Sequence, residues 1–302
     1  MYRPQIDSHP LAQQISYARS AKTRGGKTLI RLMENATGRI GLIRRGEGYE
    51  NEIAEGRDFW DVMVSRFGLS LDVVAGSLDS IPRTGPLVVI ANHPYGILDG
   101  LIMGHILAKR RGDFRILAHS IFRNAPALDK VIVPINFDGT SEAVQQNIAA
   151  RRETLGYLGQ GGAIGIFPGG TVSTALTPFA RPLDPGWRSF TARMIAKSGA
   201  TVLPIYFDGH NSRLFQLASH LHYTLRMGLL LREFRCRVDR PVRLSIGAPL
   251  SHHDIALRST DPRALMDFLR KSTYDLSPEP IDSGNFGFEF EEKHKQKHNQ
   301  RT

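Results

Sequence analysis

The chain has 302 residues, 41% hydrophobic and 23% charged, with a net charge of +10. That length and balance exclude a wholly disordered chain and leave one large α/β domain with a full core, favoured here, or two modest ones. Cys236 is the only cysteine, which excludes an internal disulfide and a cysteine-rich metal site and fits a reducing compartment.

The excess of base asks for an anionic partner, whether lipid headgroups, an acidic protein or nucleic acid. The basic residues are scattered among aliphatic ones with no zinc-finger or helix-turn-helix pattern, so nucleic acid is not expected. Residues 1–48 read as a polar, Gly- and Arg-rich lead-in, 49–285 as a single domain and 286–302 as a disordered tail. Asp7, His9 and Gln13 interrupt the apolar core that an export signal needs, and no uncharged apolar run reaches the roughly 18 residues of a bilayer span. Within the lead-in, Leu29 to Met33 either docks on the body or on lipid, or stays solvated with the rest.

Asn51 to Phe67 has the spacing of one amphipathic helix, and Leu71 to Val74 that of a strand. A turn-rich link from Leu78 to Pro86 leads into an apolar strand that ends at Asn92. Helix near Leu101 to Arg110, strand at Phe114 to Leu117, and a helical segment around Ile121 to Ala127 follow. Val131 to Ile135 is β-rich, Ser141 to Leu158 helical, Ala163 to Phe167 a strand, Trp187 to Ser198 a helix and Thr201 to Phe207 a strand. His222 to Leu231 is apolar but carries Arg226, and Arg232, Arg235, Arg237, Arg240 and Arg243 follow closely. It either lays an apolar face on lipid with arginines at phosphate level, or forms a core helix. Val242 to Ile246 returns to the sheet. Strands alternating with helices predict a mostly parallel α/β sheet flanked by helices.

Two constellations carry chemistry. Val88-Val89-Ile90-Ala91-Asn92-His93-Pro94-Tyr95-Gly96-Ile97-Leu98-Asp99-Gly100 is a buried-type strand stopped by Pro94, which delivers His93 at a strand end. An imidazole can take a proton from a hydroxyl, and a carboxylate on its other nitrogen holds the tautomer; Pro94 and Gly96 allow a turn that folds Asp99 back beside it. A polar strand-to-helix turn without chemistry is the alternative. The second constellation, Gly165-Ile166-Phe167-Pro168-Gly169-Gly170-Thr171-Val172-Ser173, is again a strand running into proline and then a glycine turn. Its amides and hydroxyls can approach an oxyanion or phosphate.

The first stretch resembles the glycerolphosphate and lysophospholipid acyltransferases, which carry Asn-His-x4-Asp after a strand. Here the spacing is His-x5-Asp, and His-Pro-Tyr-Gly-Ile-Leu-Asp-Gly is similar to the branch often labelled hemolysin-like. The second stretch resembles the family's Phe-Pro-Glu-Gly-Thr-Arg-Ser block, with Gly169 where glutamate stands and Val172 where arginine stands. Val131 to Phe137, with Asn136 and Phe137, loosely matches a further block, and Val202-Leu203-Pro204-Ile205-Tyr206-Phe207 the last one. Asp208 to Ser212 after it is expected to line the pocket, with His210 either there or in a structural turn.

The resemblance implies an O-acyltransferase that moves a fatty acyl group from acyl-CoA or acyl carrier protein to a lysophospholipid or related lysolipid, such as a lyso-ornithine lipid, in membrane lipid biosynthesis. It implies His93 and Asp99 as the catalytic pair, with Asn92, Gly96, Gly169, Gly170, Thr171, Ser173 and Arg123 binding substrate. Arg181, Arg188 and Arg193 are the other cations able to take over from the missing motif arginine. No metal or cofactor is expected, only the acyl donor, and the protein is expected in the cytoplasm, peripheral on the inner face of the membrane at an anionic surface. The alternatives are a noncatalytic lipid- or acyl-carrier-binding protein on the same scaffold, and a metal hydrolase built on His93, Asp99 and His210.

Overall fold

The computed structural model describes residues 16–21, 23–119, 126–135 and 140–289. Seven strands form one sheet: β1 (Ser70–Ala75), β2 (Leu87–Ala91), β3 (Arg115–His119), β4 (Ile132–Ile135), β5 (Ala163–Ile166), β8 (Thr201–Phe207) and β9 (Pro241–Ile246). Their order is β1-β9-β8-β2-β5-β3-β4, and every neighbouring pair is parallel except β8 with β9. Two short strands, β6 (Thr174–Ala175) and β7 (Pro182–Leu183), pair separately as an antiparallel ribbon.

β2 lies at the centre because all five of its residues, Leu-Val-Val-Ile-Ala, are apolar and able to face helices on both sides. Side chains alternate across a strand, so Leu87, Val89 and Ala91 enter one core while Val88 and Ile90 enter another. The first core is closed by α5 (Ile97–Arg111) and α10 (Tyr223–Arg235). The second is closed by α7 (Ser141–Gly159), α8 (Ser189–Ser198), α11 (His252–Arg258) and α12 (Pro262–Tyr274). The result is a sheet covered on both faces, with the C-terminal ends of β2 and β5 side by side.

The N-terminal stretch folds against this body. α1 (Arg24–Thr37) and α2 (Arg39–Gly46) meet at Gly38, whose φ of +126° is open to glycine. Ile30 of α1 is fully buried, and a Cβ on Gly228 of α10 would meet the Met33 sulfur at 2.9 Å. Leu29 to Met33 therefore docks on the body through Ile30 and Met33, while Leu29 and Leu32 remain exposed. Glu34 anchors the segment before it, accepting hydrogen bonds of 2.6 Å each from the Ser16 hydroxyl and the Tyr17 amide.

The single helix expected over Asn51 to Phe67 is two, α3 (Tyr49–Ala54) and α4 (Phe59–Arg66). Gly56 at φ +89° breaks the run, and Asp58 restarts it by capping the amides of Trp60 and Asp61. The short helix α6 (Pro126–Asp129) follows β3. A helix the sequence pattern did not reveal, α9 (Arg213–Leu221), precedes α10. α10 itself is the core helix of the two alternatives, with Arg226, Leu229, Leu230, Leu231 and Phe234 buried.

Candidate active site

β2 ends in Asn92, whose side chain closes the end of the sheet. Its Nδ2 donates to the Phe207 carbonyl at 2.9 Å and its Oδ1 accepts from the Phe207 amide at 2.7 Å, tying the ends of β2 and β8 together. The chain then turns through Pro94 and Tyr95 to Gly96, which has φ +82° and ψ −115°. That conformation belongs to glycine. It folds the first turn of α5 back, so that Asp99 Oδ2 accepts from the Tyr95 amide at 2.8 Å and the Gly96 amide at 3.0 Å. The same oxygen lies 3.0 Å from His93 Nδ1. The five-residue spacer between histidine and aspartate is thus taken up by the glycine turn and still brings the two side chains together.

Asp99 is fully buried, and its Oδ1 has no hydrogen-bond partner among the described residues. Burial pushes its carboxyl above the ordinary carboxylate range; the His93 contact and the two amides pull in the opposite direction. The His93 ring is part-exposed and stacks on Phe167 with ring centroids 4.3 Å apart. One edge of the imidazole faces the buried carboxyl, and the stack on Phe167 holds the ring plane.

Phe167 lies in the second constellation, where β5 gives way to a turn closed by the Gly170 amide on the Phe167 carbonyl at 3.0 Å. The Ser173 amide donates to the His93 carbonyl at 2.8 Å, so the two motifs are joined directly. Asp184, immediately after β7, completes the joint. Its Oδ1 accepts from the His93 amide at 3.1 Å and the Ser173 hydroxyl at 2.5 Å, and its Oδ2 from Trp187 Nε1 at 2.9 Å. Asp184 is fully buried, and its carbonyl accepts from Arg270 and the Gly287 amide. The motif reading missed this residue; its only signal was an aspartate between apolar and proline residues in Pro182-Leu183-Asp184-Pro185.

Arg226 is the second residue missed. It is buried, with Nη1 donating to the hydroxyls of Thr174 and Ser219 at 2.7 Å each, and Nη2 to the Val172 carbonyl at 2.9 Å and the Thr171 hydroxyl at 3.3 Å. A guanidinium from α10 therefore reaches the turn in which Val172 occupies the motif arginine's position. Its placement corrects the alternative that set this arginine at a lipid phosphate.

Of the other expected site residues, Asn92 has both ends of its amide committed to Phe207, and the Gly96 amide is committed to Asp99. Gly169 packs close to Asp184, where a Cβ would stand 3.3 Å from the carboxyl. Arg123, Asn136 and Phe137 lie outside the described residues. Arg181 is exposed and 3.6 Å from Glu279, Arg188 pairs with Glu289 at 3.2 Å, and Arg193 is exposed. Tyr95 ties the histidine turn to the segment after β8, donating from its hydroxyl to the Asp208 carbonyl at 2.6 Å, with Arg237 stacked 4.3 Å over its ring. Burial raises the Tyr95 hydroxyl to about 12. His210 is exposed, with Nδ1 on the Asn211 carbonyl at 2.9 Å. No three His, Cys, Asp or Glu side chains group as a metal site among the described residues.

A strand-end histidine against a buried aspartate, on a mostly parallel sheet covered by helices, defines an α/β protein with a histidine–aspartate dyad. The chain belongs to the Acyltransferase family, whose pattern matches residues 51–284, and it is an acyltransferase. Two similar proteins are described as lyso-glycine lipid O-acyltransferases. The one from Phocaeicola vulgatus is 24% identical over 215 residues, covering 69% of this chain and 74% of the relative. The one from Bacteroides thetaiotaomicron is 25% identical over 215 residues, covering 69% and 76%. The crystal structure of the 1-acyl-sn-glycerophosphate (LPA) acyltransferase PlsC from Thermotoga maritima aligns with 78% of this chain and 92% of that chain, with a TM-score of 0.43 and 18% identity.

Proposed function

We propose that this chain is an O-acyltransferase that transfers a fatty acyl group from a thioester, acyl-CoA or acyl carrier protein, to the hydroxyl of a lysolipid in membrane lipid synthesis. The observation that carries the reading is the 3.0 Å approach of His93 Nδ1 to the buried Asp99 carboxyl at the end of β2, in a member of the Acyltransferase family. With Nδ1 facing the Asp99 carboxyl at 3.0 Å, the ring carries its proton on that side and presents Nε2 as the base. Nε2 takes the proton of the acceptor hydroxyl, whose oxygen attacks the thioester carbonyl. The C–S bond then breaks, and the leaving thiolate recovers that proton from the imidazolium.

The turn after Phe167 divides its labour. Gly170 and Ser173 have their amides committed to Phe167 and His93, and the Ser173 hydroxyl is committed to Asp184. They position the turn. Thr171 accepts from Arg226 and keeps its hydroxyl proton to give, so it is the donor assigned to the developing oxyanion, while Gly169 packs against Asp184 and helps position the turn. Asn92 and Gly96 act as positioning residues, and Arg123 remains the assigned cation for an anionic group of the substrate. No metal or cofactor enters this scheme.

The acceptor is an amino-acid-type lysolipid, such as a lyso-glycine or lyso-ornithine lipid. Gly169 and Val172 replace the glutamate and arginine that the motif resemblance associates with a glycerol phosphate, and both similar proteins are described as acting on lyso-glycine lipid. Among the described residues no helix is long and apolar enough to cross a membrane, and the net charge of +10 suits a peripheral protein on an anionic inner leaflet. The test supplies labelled acyl-CoA or acyl carrier protein with lyso-glycine lipid, lyso-ornithine lipid and lysophosphatidic acid, and reads the diacyl product by mass spectrometry. Transfer to the amino-acid lysolipids at least tenfold above lysophosphatidic acid is expected. Transfer to none of them overturns the reaction, and preference for lysophosphatidic acid overturns the acceptor.

A further inference from the structure

α9 is folded inside out. Its buried face carries Phe215, Gln216, Ala218 and Ser219, while Leu214, Leu217 and Leu221, three and four residues apart, share the opposite face and are exposed. The polar residues point inward because they hold the active-site loop. Gln216 Oε1 accepts from the Ala175 amide at 2.9 Å, and Ser219 Oγ accepts from Arg226 at 2.7 Å.

The loop from Ala175 to Ala180 is strung along the same helix, with His220 Nε2 2.9 Å from the Ala175 carbonyl and Arg213 donating to the Ala180 carbonyl at 2.8 Å. This brings Leu176 and Phe179, 61% and 78% exposed, alongside the leucines, of which Leu221 is 74% exposed. Five large apolar side chains thus stand out on one side of the molecule, directly after Ser173 of the site. Apolar groups gathered in this way on a soluble surface mark an interaction site.

The charges around the patch name its occupant. Residues 174–183 and 210–222 contain Arg181 and Arg213, three histidines and no Asp or Glu; the acids that approach them include Glu279, 3.6 Å from Arg181, Glu233, buried on Ser212, and Glu289, paired with Arg188 beside Phe288, which packs against His220. Leucine and phenylalanine flanked by Arg181 and Arg213 suit the interfacial zone of an anionic bilayer, where apolar side chains enter the acyl boundary and guanidiniums meet phosphates. We infer that the outer face of α9 and the 176–179 loop form the membrane-docking surface, seating the enzyme on an anionic lipid bilayer with the Gly169–Ser173 turn beside it. This rests on the lysolipid reading, since the acceptor resides in that bilayer.

The test is co-sedimentation of the full chain, without acyl donor, with vesicles of phosphatidylcholine alone or mixed with phosphatidylglycerol. Wild type should partition onto the mixed vesicles. Leu217→Glu combined with Leu221→Glu should lower that partition about tenfold or more, and Phe179→Ser, in an exposed loop, should lower it severalfold. Leu257→Glu, at an exposed leucine of α11 outside the patch, should bind like wild type. Equal partition of wild type and patch variants overturns the assignment. So does a double variant that keeps vesicle binding but loses self-association or binding to acyl carrier protein, because the patch then serves a protein. His93→Ala should bind vesicles normally, and the double variant should still acylate detergent-dispersed lysolipid. Failure of transfer to every lysolipid with the vesicle pattern intact would overturn the lysolipid reading and uphold this surface.

Discussion

Replacing Asp184 separates the frame of the site from its chemistry. The carboxyl of this fully buried residue receives three donors, namely the His93 amide, the Ser173 hydroxyl and Trp187 Nε1. Asp184→Ala strands all three, two of them buried. An unsatisfied donor of this kind costs about 1–3 kcal/mol, so with the mobile serine hydroxyl discounted the His93 amide and Trp187 Nε1 together should cost about 2–6 kcal/mol. That is a large share of a stability of about 5–15 kcal/mol. Asp184→Asn keeps the volume and one acceptor oxygen for His93 and Ser173, but turns an NH2 group toward the Trp187 N–H, and should cost about 1–3 kcal/mol. Urea unfolding of the three proteins should give midpoints in the order wild type, Asp184→Asn, Asp184→Ala, with acyl transfer falling in the same order. A loss under about 1 kcal/mol for Asp184→Ala would show that the two motif loops are held by something else.

Gly96→Ala forces a side chain into φ +82°, ψ −115° and sets a Cβ 3.2 Å from Val172; about 1–3 kcal/mol of stability should be lost, with kcat reduced, as urea midpoints and initial rates will read. Arg226→Lys replaces a fork that serves four acceptors by a single ammonium; stability should fall by about 2–4 kcal/mol in the same unfolding assay, and transfer with it. Asp99 has a folded-state pKa raised above its ordinary 3.8 by burial, so the native state holds its proton to higher pH than the unfolded chain does. The penalty for ionising it is absent below 3.8 and grows until pH passes the raised value, so this group makes stability fall with rising pH in that window. Asp99→Asn should remove that part of the slope in urea midpoints measured against pH, while lowering transfer about a hundredfold or more because the base loses its orienting charge.

The elements most legible in the sequence were those defined by local pattern. β2, β5 and β8 each show an apolar run with proline or glycine at its end, and the run into Pro94 gave the strand, the turn and the histidine together. The dyad followed because a glycine and an aspartate sit within one turn of it. Asp184 and Arg226 were hidden because their partners are remote in sequence: Asp184 meets His93 across 91 positions, and Arg226 meets Val172 across 54. Arg226 also sits in an apolar stretch that fits a core helix and a lipid-facing one equally well. α9 escaped because its pattern is reversed, with Gln216 and Ser219 inside and leucines outside, so periodicity could not tell which face the core owns. The break between α3 and α4 was written in Gly56 and Asp58 but masked by the apolar residues on either side.

The central claim is that His93 is the general base, and the most direct test is single-turnover acyl transfer by His93→Ala against wild type, with saturating donor and the best lysolipid acceptor. A drop of about a hundredfold or more, in a variant that unfolds at the same urea midpoint, is the predicted result. Transfer at the wild-type rate by a folded His93→Ala would contradict it and remove the dyad from the mechanism.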